Sequence, residues 1–225
     1  MHSHDELTTC DISGEVQPLV NRVNTAIEAQ RRGQLVLIID DEIEGEGDVC
    51  IPAQQVTPQL INFMITTCRG LVCQSISPEM AAHLELPLMV PHGISPAFTV
   101  SVDAARVGSG TSAFDRATTA QTLVHPETRP NDLVRPGHVF PLIARGGGVL
   151  ERAGHTEASS DLAALAGFAP SAVICEVLDD EGHMAGPEIL RTFATMHTMS
   201  TLTVRDLITY RRLMNPSATK RERAG

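Results

Sequence analysis

Short apolar runs alternate with segments of helical periodicity along almost the whole chain, and this alternation limits the possible folds more than any other feature. Residues 35–39 form an unbroken apolar run, short enough for a buried strand, that stops at Asp40. Before it, apolar side chains recur at helical spacing from Val16 until Gly33. The same patterns predict strands at 70–76, 97–102, 172–178 and near Leu202, and helices after Thr57, Ser77, Ser112, Thr156 and Pro187 and around Leu207. Strands that alternate with helices favour a layered α/β or α+β domain with a mixed sheet.

The composition is that of a globular protein with an aliphatic core. Hydrophobic residues make up 42% of the 225 residues but aromatic residues only 3%, so Val, Leu, Ile, Met and Ala have to fill the interior. A net charge of −10 argues against nucleic acid or an anionic membrane surface as a partner. The sequence has no apolar run of transmembrane length and no signal-peptide pattern, so we expect a cytoplasmic protein that does not enter a membrane.

The cysteines point to the same compartment. There are five of them, an odd number, and none belongs to a CxxC pair. They are Cys10, Cys50, Cys68, Cys73 and Cys175. This pattern argues for a reducing environment and against a disulfide framework or a structural zinc site.

An acidic segment directly follows the first predicted strand. Residues 40–48 read DDEIEGEGD, with two glycines that allow the backbone to bend tightly. Carboxylates that converge repel one another unless a cation lies between them, and oxygen ligands suit magnesium or manganese. The alternative is an acidic turn that simply faces solvent.

Two further segments each carry a histidine. His138 stands between Gly137 and an apolar stretch, where it is either a general acid or base or a histidine satisfied in the core. In the segment 151–157, ERAGHTE, the predicted helix start at Thr156 offers backbone N–H groups to a phosphate, and Arg152 adds a fork of donors. His155 in that segment would ligate a metal or relay a proton; the alternative is a plain helix cap beside an exposed histidine.

A fourth candidate is Glu176, which lies within the apolar stretch AVICEV. Burial of a carboxylate is costly unless it is paired or protonated, so a general base is one explanation. A glutamate on the solvent side of the strand is the other.

Together and in this order, these segments resemble the 3,4-dihydroxy-2-butanone 4-phosphate synthase family. The resemblance extends over roughly residues 16–211. Its most specific motifs are RPGHVFPL (135–142) and ERAGHTEA (151–158). The further matching stretches are TPQLINFM (57–64), RGLVC (69–73), LPLMV (86–90), AFTVSVDA (97–104), SAFDRATT (112–119) and AVICEV (172–177).

The resemblance implies a three-layer α+β domain with a mixed, twisted sheet and flanking helices. It implies one catalytic domain over residues 14–213. The residues themselves predict a mobile N-terminal segment, 1–13, which is polar and without pattern, and a mobile basic tail, 214–225. The resemblance further implies a homodimer with active sites at the subunit interface, and two divalent cations per site, magnesium or manganese.

The resemblance also assigns roles to individual residues. Glu44 and His155 would ligate metal, and Asp48 and Glu176 would contact the substrate. The stretch that includes Arg152, Gly154, His155 and Thr156 would hold its phosphate. His138 and Glu176, together with Asp48, would carry protons during catalysis.

The chain departs from the family pattern where the family contacts its substrate. The acidic segment is one residue shorter than the family's D-D-x-x-R-E-N-E-G-D, has Ile43 where an Arg is usual, and has Gly45 where an Asn is usual. Gly108 and Ser109 replace a pair of threonines, and the loop 91–96 is shortened. Three readings stay open: the family reaction on ribulose 5-phosphate, a related lyase or isomerase on a different phosphorylated or polyhydroxy ketone, and an inactive ligand-binding homologue.

Overall fold

A mixed sheet forms the centre of the molecule. The structure is a computed structural model that describes residues 12–40, 45–90 and 96–214. Within these residues the sheet has seven strands in the order β4-β5-β3-β6-β2-β1-β7. The strands are β1 (Val36–Ile39), β2 (Gly47–Pro52), β3 (Cys73–Ile76), β4 (Val102–Ala104), β5 (Leu133–Ile143), β6 (Ala172–Glu176) and β7 (Ser200–Thr203). β1 pairs with β7 and β3 with β5 in parallel, whereas the other neighbours are antiparallel.

Helices cover both faces of this sheet. They are α1 (Ile12–Arg31), α2 (Pro58–Phe63), α3 (Pro78–His83), α4 (Ala113–Leu123), α5 (His155–Leu165), α6 (Pro187–Met196) and α7 (Val204–Met214). One core cluster joins α1, α5 and α7 to the face that carries Ile38 and Ile174. A second joins α2, α4 and α6 to the face that carries Leu37 and Val173. The predicted three-layer α+β architecture is therefore confirmed.

The helix starts that were predicted from capping residues are confirmed at three places. The side chains of Thr57, Ser77 and Ser112 each accept a hydrogen bond from a backbone N–H three residues further on. Each such cap stabilises its helix by about 1 kcal/mol. These helices were predictable because the capping side chain and the backbone N–H that donates to it lie within one turn of the chain.

The prediction for α5 is wrong by two residues. Thr156 is not the cap, because α5 begins at His155 and Gly154 is the N-cap residue, in an extended conformation and without a side-chain hydrogen bond. Thr156 therefore lies inside the first turn, where it is buried. The physical reason is that glycine also serves as an N-cap, which leaves the threonine side chain free to point inward.

Three strand predictions were inaccurate, and two strands were missed. Residues 97–101 form only isolated bridges, and the regular strand β4 begins at Val102. Strands β3 and β6 are shorter than predicted, and β2 and β5 were not predicted at all. β5 contains Pro136 and Gly137, which normally interrupt a strand.

Two predictions concern the ends of the chain and its relation to a membrane. The segments 1–13 and 214–225 lie almost wholly outside the described residues. Among the described helices, none has both the length and the apolar character needed to cross a membrane.

Candidate active site

The registers of four adjacent strands bring distant polar residues to one end of the sheet. Asp48 of β2 lies directly opposite Glu176 of β6. Cys73 of β3 lies opposite Ile174 of β6 and, on its other side, opposite Phe140 of β5. On β5, His138 lies two positions before Phe140, and on β2, Asp48 lies two positions before Cys50, which is opposite Ile174. The predicted catalytic residues therefore occupy the same end of the sheet, although they are far apart in sequence.

Asp48 and Glu176 also point to the same face. Side chains two positions apart on a strand share a face, and Cys50 and Ile174 both belong to the core cluster beneath α1, α5 and α7. The first residue of α5 closes the site on this face: His155 Nδ1 lies 4.0 Å from Asp48 Oδ1. The structure thus brings together Asp48, Glu176 and His155, which the sequence predicted separately.

His155 carries a feature that indicates a missing ligand. Its side chain is only 14% exposed, and its Nε2 is buried without a hydrogen-bond partner among the described residues. A buried polar nitrogen with no partner costs about 1–3 kcal/mol. Nε2 fits a divalent cation, which would remove this cost, while the carboxylate of Asp48 lies near the other ring nitrogen, Nδ1. The other predicted metal ligand, Glu44, lies outside the described residues.

Glu176 is held by the turn that leads into β3. The backbone N–H of Leu71 donates to Glu176 Oε2 at 2.8 Å. Gly70 lies so close to Glu176 that an added Cβ would be 2.6 Å from Oε2 and closer still to the backbone oxygen. Only glycine therefore fits at this contact. This role could not be predicted from the sequence, because a single glycine before a strand is common.

The loop at the start of α5 has a different electrostatic arrangement from the one predicted. Arg152 Nη1 donates to Glu157 Oε2 at 2.6 Å, and Glu157 is almost completely buried. The other oxygen of Glu157 accepts the backbone N–H of Arg145 at 3.0 Å. Glu157 thus orients the guanidinium, whose remaining donors are available for a phosphate near Gly154 and Thr156.

His138 has a strong partner that the sequence analysis missed. Its Nδ1 lies 2.7 Å from Asp103 Oδ2, and its backbone N–H donates to Asp103 Oδ1 at 2.9 Å. Asp103 is buried, whereas the histidine side chain is 45% exposed. A signal was present in the sequence, because Asp103 is a carboxylate within an apolar stretch, as Glu176 is.

An irregularity in strand pairing produces this contact. Val102 lies opposite Val139, but the next residue, Asp103, lies opposite Val134, so residues 135–138 leave the ladder. β3 separates β5 from β6, which puts the backbones at His138 and Glu176 roughly 10 Å apart, two strand spacings. Within the described residues, His138 therefore belongs to the same end of the sheet without touching the cluster of Asp48, Glu176 and His155.

The pKa of the Cys73 thiol depends on the charges of the site. Burial raises its pKa well above the ordinary value, and the negative charges of Glu176 and Asp48 raise it further. Both carboxylates therefore act on the same small volume of protein interior. A negative potential of this kind attracts a cation to the site.

Comparisons with known proteins identify the family. The family model described as 3,4-dihydroxy-2-butanone 4-phosphate synthase matches residues 24–210. A riboflavin biosynthesis protein RibBA of Aquifex aeolicus is 50% identical over 198 residues, which cover 85% of this chain and 49% of the relative. A 3,4-dihydroxy-2-butanone 4-phosphate synthase of Helicobacter pylori is 48% identical over 208 residues, with 90% and 60% covered. The chain thus spans about half to three fifths of the length of these relatives.

Solved structures show the same relationship. The two-domain synthase RibBX of A. baumannii is 46% identical with a TM-score of 0.82, over 84% of this chain and 57% of that one. A 3,4-dihydroxy-2-butanone 4-phosphate synthase solved in complex with two magnesium ions is 38% identical with a TM-score of 0.81, over 84% and 96% of the two chains. Since the family model, the relatives and the solved structures all agree, this chain belongs to the 3,4-dihydroxy-2-butanone 4-phosphate synthase family.

Proposed function

We propose that this chain converts ribulose 5-phosphate into 3,4-dihydroxy-2-butanone 4-phosphate and formate. The observation that carries the proposal is the cluster of Asp48, Glu176 and His155, with its unpartnered Nε2, at the start of α5. The two products together contain all the atoms of the substrate, so the reaction needs no oxidant or reductant. It needs acid–base groups, a place for the phosphate and stabilisation of negative charge on the substrate oxygens.

The chain supplies each of these. Glu176 and Asp48 face the same volume and, together with His138, move protons to and from the carbons next to the carbonyl and their hydroxyls. Arg152 and the first turn of α5 bind the phosphate. Glu44 and His155 would hold two magnesium ions, or manganese in their place, and such ions would stabilise negative charge on the oxygens of the substrate.

The site is completed in a homodimer. Within one chain the backbone at His138 lies roughly 10 Å, two strand spacings, from the backbone at Glu176. A second copy packed against this end of the sheet would bring its own histidine to the neighbouring cluster. The proposal therefore includes an active site at the interface between two copies.

The decisive experiment measures formate release from ribulose 5-phosphate in magnesium buffer, after treatment with EDTA, and after magnesium is restored. We expect activity, its loss and its recovery. Glu176→Gln should lower kcat by about 10²- to 10⁴-fold, the usual contribution of a general acid or base. Glu181→Gln, which changes an exposed carboxylate on the turn after β6, is the matched control and should retain activity. Full activity in the chelated enzyme or in Glu176→Gln contradicts the proposal.

One observation favours a second candidate, a related lyase or isomerase with a different phosphorylated or polyhydroxy ketone as substrate. Among the described residues, an added Cβ at Gly108 would meet only Asp115, at 3.9 Å, so the described fold leaves room for a Cβ at the position where the family pattern has a threonine. Packing therefore does not require a glycine at position 108, and the chain lacks the hydroxyl that the family pattern has there. Each lost donor to a substrate costs about 1 kcal/mol or more, several-fold in binding.

Measuring kcat/KM side by side for ribulose 5-phosphate and for other keto-sugars, with and without phosphate, separates the two candidates. A better substrate than ribulose 5-phosphate selects the second. Gly108→Thr supplies a further test, because it should improve ribulose 5-phosphate turnover if the missing hydroxyl limits it.

A further inference from the structure

A buried carboxylate stands directly behind the exposed histidine of β5. Asp103 holds His138 at two points, through the ring Nδ1 at 2.7 Å and through the backbone N–H at 2.9 Å. The two contacts use both oxygens of one carboxylate, so ring and backbone are fixed relative to each other. Such a two-point contact determines the orientation of the imidazole and not merely its position.

The chemistry of this contact selects one form of the ring. A carboxylate can only accept hydrogen bonds, so Nδ1 has to carry the proton that lies between the two groups. In the neutral imidazole the lone pair is then on Nε2. The side chain is 45% exposed, so a substrate can reach the ring. His138 is thereby prepared to accept a proton at Nε2.

The surrounding backbone is shaped to permit the contact. Gly110, at a φ of +80°, lies against the pair, and an added Cβ would collide with Asp103 Oδ2 and lie 2.7 Å from His138 Nδ1. An added Cβ at Gly137 would collide with the backbone at Val102 and Asp103. Two glycines, one in the segment before α4 and one within β5, are thus required for the same contact, which a chance surface pair does not require.

Asp103 also acts on a cation of α4. The pKa of Arg116 is lowered mainly by burial, and the negative charge of Asp103 opposes that shift. Asp115 is occupied with the backbone N–H of Gly110 at 3.2 Å. Asp103 therefore acts on Arg116 through its charge, whereas it contacts His138 directly.

We propose that Asp103 is a positioning residue for His138, which fixes its Nδ1–H tautomer and aims Nε2 at the substrate. The inference rests on the proposed function, in which His138 moves a proton. Asp103 itself touches no reacting atom and acts through the imidazole, as the partner of a general base commonly does.

The first test is spectroscopic and needs no activity. Nitrogen-15 chemical shifts of the ring of His138, assigned by comparison with His138→Gln, report which nitrogen carries the proton. We expect Nδ1–H in the unaltered protein and a mixture of tautomers in Asp103→Asn. The Nε2–H form in the unaltered protein overturns the proposal, whether or not any variant folds.

The second test is kinetic. Asp103→Asn should lower kcat by about 10- to 100-fold with little change in KM, the usual effect of losing the residue that orients a functional histidine. Asp179→Asn is the matched control, because Asp179 also faces a histidine, His183, at 3.5 Å, but on an exposed turn outside the site. Asp103→Glu, which keeps the carboxylate, should recover part of the rate if the fold is intact.

The outcomes separate the two proposals. An unchanged kcat in Asp103→Asn overturns the positioning role while formate release by the unaltered enzyme still supports the reaction. Full activity in His138→Gln removes His138 from catalysis, and the inference about Asp103 falls with it. If the unaltered enzyme releases no formate, the proposed function fails, and the tautomer measurement still decides whether Asp103 fixes the ring.

Discussion

At the scale of single residues, burial and hydrogen bonding identify the site more sharply than residue type does. His155 and His138 are both histidines after a glycine, yet one has a buried nitrogen without a partner in the described part of the chain and the other is held by a buried carboxylate. The sequence indicated both as candidates but offered no means to tell their roles apart. Asp103 and Gly70 were missed, since their importance depends on partners that only the fold brings near.

The unpartnered nitrogen of His155 leads to a prediction about stability. With magnesium in excess, the unaltered protein should melt at a higher temperature than in EDTA, because a ligand at 100 times its Kd stabilises the fold by about 2.7 kcal/mol. His155→Ala should lose most of this magnesium-dependent increase. In EDTA its melting temperature should be close to that of the unaltered protein, because relief of the unpartnered nitrogen offsets the packing lost with the ring.

Differential scanning calorimetry with and without magnesium checks this, and His125→Ala, a change at an exposed histidine, serves as the control. A His155→Ala protein that is still stabilised by magnesium as strongly as the unaltered one would show that His155 is not a ligand.

At the scale of elements, the sequence predicted what local interactions determine. Helix starts at Thr57, Ser77 and Ser112 depend on contacts within one turn and were predicted correctly. β2 and β5 were missed for a different reason. β2 begins at Gly47 within the acidic segment, and β5 passes through Pro136, so neither shows an uninterrupted strand pattern. Both are strands because neighbouring strands pair with them, which is not visible in a short window of sequence.

The contact between the β3 turn and β6 gives the next prediction. Gly70→Ala should lower the free energy of unfolding by about 1–3 kcal/mol, because the added Cβ overlaps the backbone of Glu176. It should also lower kcat by displacing the Glu176 carboxylate. Gly146→Ala is the control, since an added Cβ there meets no atom of the described residues within 4 Å. Urea unfolding together with the formate assay tests both effects, and equal behaviour of the two variants would disprove the proposed close fit.

The buried thiols of three sheet strands make stability depend on pH. Burial raises the pKa of Cys50 and of Cys73 above the ordinary thiol value. The pKa of Cys175 is raised mainly by its contact with Cys68, and burial adds to that shift. A group with a raised folded pKa stabilises the native state fully below its unfolded pKa, near 8.5 for a thiol, and less as pH rises above it. The free energy of unfolding should therefore decrease between about pH 8.5 and 10.

Urea unfolding at several pH values measures this effect. Cys73→Ala and Cys175→Ala should each make the free energy of unfolding decrease less steeply with pH. Thiol modification of the Cys10→Ser variant at pH 8 gives a second measurement. A thiol reagent should modify all three cysteines in the urea-unfolded variant, and none of them in the folded variant within the same time. Rapid modification of the native protein would contradict the assigned burial.

At the scale of the whole molecule, the family pattern predicted the layered architecture, whereas oligomeric state is a separate question. The proposed homodimer should have about twice the chain mass of 24.2 kDa in light scattering. If the site is shared, mixing Glu176→Gln with His138→Gln protein should restore up to about a quarter of the original activity. About half of the dimers are then mixed, and each mixed dimer has one intact site out of two. An active monomer, or mixing without any recovery, would contradict a shared site.

The hydrogen bond from Leu71 to Glu176 joins residues 105 positions apart, and this separation determines when the site exists during folding. Loop closure over such a distance costs entropy before any contact compensates for it, and folds rich in distant contacts form slowly. On a ribosome, the acidic segment and β3 emerge long before β6. Glu176 therefore meets its partners only after most of the chain has been synthesised, so the nascent protein cannot bind its substrate until the central strand of its sheet has been inserted between β2 and β3.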